Sequence, residues 1–199
     1  MRIRRLIVPA SVLSVVCFVG GVGLSLATGG PDQRSLVLSA ARDAAAHGFE
    51  EQRVALIDGV VTRSEYRGAL GDLTGCLSRA GVRFRAPVLS PVDGVSYIID
   101  VAPPTAKQAV ALSSCTERYW DLVSTLFTSY QTQVMNPKLL AASMQCLRTA
   151  GFPVTGDETN FPELVADNRD EARREAAAQC VLDEGHRLFP ELGSLSVFA

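Results

Sequence analysis

The chain has 199 residues, of which 47% are hydrophobic and 20% charged, with a formal net charge of -2. That length and apolar fraction suffice for one globular domain with a real core. Setting aside Arg2, Arg4 and Arg5 leaves 16 basic against 21 acidic residues, a net of -5, and no acid precedes Asp32. A mildly acidic domain is a poor partner for nucleic acid, whose affinity comes mainly from Lys and Arg neutralising phosphates, and on the same ground for anionic lipid.

Residues 6–26 carry no charge and are rich in Val, Leu and Gly. At about 1.5 Å rise per residue, a helix of that length spans roughly 30 Å, the thickness of a bilayer's hydrocarbon core. Three arginines before it and only Arg34 soon after predict a single-pass anchor, N-terminus in and C-terminal domain outside. The alternative is secretion after cleavage near Ala27, since Ser25-Leu26-Ala27 has small residues where a signal peptidase reads. Signal-peptide apolar regions usually run about 7–15 residues, so the longer run here favours a retained anchor. Cys17 follows Val16, where a lipobox needs a small residue, and it reads as an apolar filler. Residues 1–30 are thus expected to be the membrane segment and 31–199 an extracytoplasmic domain.

Within that domain, 32–57 reads as helix with a break near Gly48. Thr62-Arg-Ser-Glu65 is a capping box, its hydroxyl and carboxylate both able to satisfy N–H groups at a helix start. Tyr66, Leu70, Leu73 and Leu77 then give one apolar face, and Gly81 is the natural stop. Residues 82–88 and 95–101, rich in β-branched and aromatic side chains, flank Pro91-Val-Asp-Gly94 and predict a short β-hairpin. Thr105 caps a long helix expected to reach about Gln133, with Tyr119, Leu122, Leu126 and Tyr130 on one face. Asn136-Pro137 opens another, striped by Leu140, Met144 and Leu147 and ended by Gly151. A turn-rich loop over 153–157 leads to Asn160-Phe-Pro-Glu163, which opens a last long helix to about Leu188. Residues 189–199 are expected to form a loosely ordered tail.

Two of these helices share a motif. Leu73-Thr-Gly-Cys76-Leu77-Ser-Arg-Ala80-Gly81-Val82 recurs as Ser143-Met-Gln-Cys146-Leu147-Arg-Thr-Ala150-Gly151-Phe152, with further cysteines 39 and 34 residues on, at Cys115 and Cys180. The fold expected is mainly α: a membrane helix, then a duplicated, disulfide-linked helical domain with one small hairpin, its units at about 62–134 and 136–188. In an oxidising compartment four cysteines favour disulfides, and they can pair in three ways. If each copy is a structural unit, the bonds are Cys76–Cys115 and Cys146–Cys180.

Other chemistry is poorly represented. Zinc sites normally include a short pair such as Cys-x-x-Cys, whereas the nearest cysteines here, Cys115 and Cys146, are 31 residues apart, and Cys180 with His186 does not fill the gap. Asp58-Gly59 and Glu65 resemble the second half of a calcium loop. Val54 and Leu56 would then fall at its first and third positions, where neither offers a side-chain oxygen, so a turn and a capped helix explain the stretch better. Only His47 and His186 could serve as histidine bases, neither in a recognisable motif, and no Gly-x-Ser-x-Gly elbow occurs. Gly20-Gly21-Val-Gly23 lies inside the apolar run and cradles no phosphate. No catalytic residue, metal or cofactor is expected, although 21 acids leave a carboxylate-dependent hydrolase as a second alternative. Tyr119 and Trp120 could form a binding surface by stacking on sugars, but neighbours on a helix point about 100° apart, so at most one would face the core.

At Asp58-Gly-x-Val61-Thr62-x-x-Glu65-Tyr66 followed by Cys76-Leu-x-x-Ala-Gly, the chain resembles a group of uncharacterised secreted or membrane-anchored actinobacterial proteins, most evidently over residues 50–120. The resemblance implies no activity, cofactor or catalytic residue. The function expected is a non-enzymatic, membrane-anchored role in binding another envelope protein or in envelope structure. A module binding a cell-envelope polymer, peptidoglycan or another glycan, is the first alternative, using aromatics such as Tyr97, Tyr119, Trp120 or Tyr130.

Overall fold

The computed structural model describes residues 32–166, 169–193 and 195. The expected membrane segment over 6–26 and the cleavage position near Ala27 lie outside these residues. Among the described residues, no helix is long and apolar enough to cross a membrane.

Among the described residues, eight helices and two short strands follow in order: α1 (Gln33–His47), α2 (Glu50–Leu56), α3 (Arg63–Arg79), β1 (Val88–Leu89), β2 (Tyr97–Ile98), α4 (Ala106–Tyr119), α5 (Asp121–Ser129), α6 (Pro137–Thr149), α7 (Phe161–Val165) and α8 (Glu171–Leu188). Local chemistry sets most boundaries. The Asp32 carboxylate accepts the Ser35 N–H at 2.7 Å to start α1, and Gly48, at φ 72°, ends it. The capping box at α3 is complete: Glu65 N donates to Thr62 Oγ1 at 3.2 Å and Thr62 N donates to Glu65 Oε2 at 2.7 Å. Thr105 and Gln108 repeat the device at α4.

The duplication is structural as well as sequential. Both motif helices end in the same closure, with Val82 N donating to Leu77 O and Phe152 N to Leu147 O, each at 3.0 Å. In both copies the cysteine five residues before the terminal glycine is bonded to the following long helix. Cys76 of α3 pairs with Cys115 of α4, and Cys146 of α6 pairs with Cys180 of α8. The second copy packs α6 and α8 into a core with Leu139, Leu147, Leu164 and Val181 at its centre. The first copy has two adjoining cores: one joins Val37 of α1 and Leu56 of α2 to Tyr66 and Phe127, the other surrounds Leu73, Leu77 and Cys115.

Three expectations need correction. The long helix from Thr105 is interrupted at Trp120 (φ -129°, ψ -47°) and ends at Ser129 rather than Gln133. The interruption changes which face is covered: Cys115, Val123 and Phe127 are buried, while Tyr119, Leu122 and Leu126 are half-buried and Tyr130 is exposed. The final helix is also two pieces. Ala166 adopts φ 62°, which stops α7, and Asp170 caps a fresh start by accepting from Arg173 N at 2.9 Å. The expected hairpin itself forms, pairing Val88 with Ile98 and Leu89 with Tyr97 and continuing as a looser ladder through Arg85 N to Asp100 O and Ala102 N to Arg83 O. The tail is ordered where it is described: Leu192 is buried, and the Glu191 carbonyl accepts from Arg85 Nη1 at 2.7 Å.

The two copies are tied by the segment after α5. Val134 N donates to Asp93 O and Asn136 N to Pro91 O, so this strap is hydrogen-bonded to the hairpin turn. Gly94 sits at φ 67° with the Val134 carbonyl 2.6 Å from where a Cβ would stand, so a larger residue would push the strap away.

Candidate functional site

The hairpin, α3 and α4 line an open apolar pocket of about 330 Å³ beside the first disulfide. Its walls follow from the periods of the elements that make them. Leu73 and Leu77 come from α3 at a spacing of four. Leu112, Thr116 and Trp120 follow the same spacing along α4 and its end, and Tyr97, Ile99 and Val101 alternate along the second arm of the hairpin. Leu73 and Leu77 are buried at its floor, while Trp120, Tyr97 and Ile99 are half-buried around it.

The aromatic wall is held from behind. Tyr66 stacks on Trp120 with centroids 4.9 Å apart, on Phe127 at 4.3 Å, and meets Tyr97 at 5.8 Å. Its hydroxyl accepts the Tyr97 N–H at 3.2 Å, fixing that strand residue to α3. Burial pushes the Tyr66 phenol up to about 12. The Trp120 ring is thereby held by packing as well as by the helix break.

Of the two aromatics singled out in the sequence, only Trp120 lines this pocket. Tyr119 lies outside it, half-buried, with the Arg118 guanidinium 5.5 Å over its ring. Tyr97 joins Trp120 as the sequence reading allowed, and Tyr130 does not. The polar atoms of the lining side chains are the Trp120 indole N–H, the Tyr97 phenol and the Thr116 hydroxyl, and the last donates to Leu112 O at 2.8 Å. Such a lining, with three polar side-chain atoms among eight residues and no charged group, suits an apolar or aromatic group better than a charged one.

A larger open hollow of about 970 Å³ lies between residues 131–133, the 153–160 loop, α7 and Arg173. It contains Asp157, Glu158 and Glu163, a site where a carboxylate pair could be sought. Burial raises the Glu158 pKa, but N–H donors from Thr155 (2.8 Å), Glu158 itself and Gly156 (2.7 Å) outweigh that and hold it at about 2. Glu163 is held low by Thr159 N at 2.6 Å, with Asn160 Nδ2 adding a bond at 2.8 Å. Glu158 closes the loop, and Glu163 ties the start of α7 to Thr159 and Asn160. A general acid needs the opposite environment, one that raises its pKa.

The remaining candidates are dispersed. His47 and His186 are both exposed, one at the end of α1 and the other on α8. Asp58 Oδ1 accepts from Val60 N at 3.0 Å, forming the turn that leads into α3. Among the described residues, no group of three His, Cys, Asp or Glu side chains is placed to hold a metal ion. Sequence reasoning missed two polar side chains with large structural effect, Gln52 and Glu158. Glu158 had a visible signal, an acid three residues after Thr155 in a turn-rich loop, whereas Gln52 had none.

Comparison with protein-family models, curated proteins and solved structures finds no match to this chain.

Proposed function

We propose that the chain is a non-enzymatic, membrane-anchored extracytoplasmic protein whose helical domain binds another envelope protein, receiving an apolar side chain of that partner at the Trp120 pocket. The observation that carries this reading is the pocket itself: apolar, walled by two aromatics and braced by Tyr66. Interface hot spots have this character, an aromatic anchor in a dry pocket whose neighbours exclude water. Placement outside the cytoplasm is supported by two disulfides and by the arginine-flanked apolar run. The sequence likeness to secreted and anchored actinobacterial proteins agrees with it.

Trp120 is the only tryptophan, so its fluorescence reports on this pocket alone. Titration with peptides bearing exposed Phe or Leu is expected to give a saturable blue shift, absent in Thr116→Phe, which fills the pocket. No spectral response to any apolar peptide would refute the reading.

Because Tyr97 and Trp120 share the pocket, a cell-envelope polymer is the alternative ligand. Sedimentation of the protein with purified cell wall, with Trp120 emission responding to soluble glycan fragments, would favour it. Turnover of a wall substrate by the purified protein would instead favour the carboxylate-dependent hydrolase.

A further inference from the structure

The two copies of the repeat treat one face differently. The pocket residues Leu73 and Leu77 lie three before and one after Cys76, and the same steps from Cys146 reach Ser143 and Leu147. On the helix across the disulfide, Leu112, Thr116 and Trp120 lie three before, one after and five after Cys115. The same steps from Cys180 reach Ala177, Val181 and Gly185. All five positions of the second copy are buried, whereas in the first copy Leu112, Thr116 and Trp120 are half-buried. What covers the second copy is the chain itself. Phe161, Leu164 and Val165 of α7 are 2, 0 and 0% exposed and share one core with Leu147, Ala177 and Val181. Leu195 packs against that core, and its Cδ1 stands where a Cβ on Gly185 would be. In the first copy the segment between the two disulfide-linked helices is the hairpin, whose Tyr97, Ile99 and Val101 wall the face without closing it.

Building on the Trp120-pocket reading above, we propose that the occupant is a one-turn helix of another protein, presenting Phe and then Leu three residues apart as α7 does to the second copy. Side chains three and four apart on each helix make this face, and a helical turn seated on it presents its own at the same spacing. Docking of an apolar helical face through such anchors is a general mode of recognition. The first copy has Leu, Leu and Trp where the second has Ser143, Ala177 and Gly185, so its floor stands higher and receives side-chain tips rather than a whole turn. No charged side chain lines the pocket, which leaves apolar burial and spacing to select the partner. α7 of a second copy is not free to enter, because Phe161 and Leu164 are buried in their own core.

The test titrates the full chain with a synthetic peptide of residues 159–166, which holds Phe161 and Leu164 and no tryptophan, and follows Trp120 emission. A saturable blue shift is expected. Replacing the peptide's Phe and Leu by Ala should abolish it. A scrambled peptide of the same composition, with Phe and Leu two residues apart, should bind about tenfold more weakly, the usual loss when an anchor leaves its pocket. Leu112→Ala gives the first copy the residue of the second and should tighten binding about fourfold, through one further methylene buried. No gain in a Leu112→Ala chain with native circular dichroism overturns the equivalence of the two faces, and with it the proposal. The parent chain's response to the peptides decides the matter whether or not that variant folds. Equal binding of the scrambled peptide overturns the helical-turn occupant and leaves the Trp120-pocket reading standing. So does a Trp120 shift caused by glycan fragments or by self-association of the chain but not by the 159–166 peptide. Silence toward every apolar peptide overturns both.

Discussion

The Gln52 side-chain amide donates to the Glu117 carbonyl at 2.7 Å, joining α2 to the last turn of α4 across 65 residues. The oxygen of the same amide accepts from Leu122 N at 2.9 Å and Val123 N at 3.3 Å, the first free donors of α5. One side chain, 1% exposed, thus serves the end of one helix and the start of the next. The break at Trp120 that turns its ring into the pocket depends on this amide. Gln52→Leu is expected to lose about 2–3 kcal/mol, because the buried carbonyl and N–H groups are left without partners. Urea unfolding checks the loss. Gln52→Glu should fare no better, since a carboxylate cannot donate to Glu117.

Tyr66 carries a second prediction. Tyr66→Phe keeps the stacking on Trp120 and Phe127 and removes only the hydroxyl that accepts from Tyr97 N. A loss of about 1 kcal/mol is expected, read by the same denaturation. Its titration has a definite sign. Burial raises the folded-state pKa from 10.0 to about 12, so the unfolded chain loses the proton first. Stability is full below pH 10 and falls as pH rises through about 12. Tyr66→Phe should flatten that part of the alkaline unfolding profile, and an unchanged profile would remove Tyr66 as its source.

The disulfides close loops of similar length, with cysteines separated by 39 and 34 residues. Chain entropy predicts about 3–4 kcal/mol for each and almost no difference between them. The double replacements Cys76→Ser with Cys115→Ser, and Cys146→Ser with Cys180→Ser, should therefore cost nearly equal amounts. A large inequality in denaturation midpoints would show that contacts in the reduced state, rather than loop length, decide their contribution.

Features written in local chemistry were legible in the sequence. The capping box at Thr62 and Glu65, the glycine stops at Gly81 and Gly151, and the hairpin around Pro91–Gly94 need only a few neighbouring residues to specify them. The cysteine pairing followed from the repeat, because two copies of one unit close in the same way. Features made by distant partners were not legible. The break at Trp120 is stabilised by Gln52, nearly 70 residues upstream, and no pattern within α4 or α5 announces it. The Trp120 pocket needs α3, the hairpin and α4 together, so adjacent Tyr119 and Trp120 could be named as aromatics but not told apart. The tail looked loose because Pro190, Gly193 and two serines break any periodic pattern in it, yet Leu192 finds a buried site and Arg85 holds the Glu191 carbonyl.

Ser143 marks where the two copies diverge. It occupies the place of Leu73 in the repeat, three residues before the cysteine, and is fully buried on α6 between Leu139 and Leu147. Its hydroxyl has no hydrogen-bond partner among the described residues. Leu73 in the first copy lines the apolar pocket, while Ser143 in the second is fully buried on α6, the helix that packs against α8. A buried hydroxyl without a partner costs about 1–3 kcal/mol, and alanine is also the better helix former. Ser143→Ala is therefore expected to raise stability by about 1 kcal/mol, measured as a higher urea midpoint with unchanged slope. Ser143→Leu, which restores the residue of the first copy, should instead lose about 1–3 kcal/mol by overpacking. If the alanine variant were less stable than the parent, the hydroxyl must have a partner in solution. If the leucine variant were more stable, the α6–α8 interface would have room to open the pocket that the first copy already has.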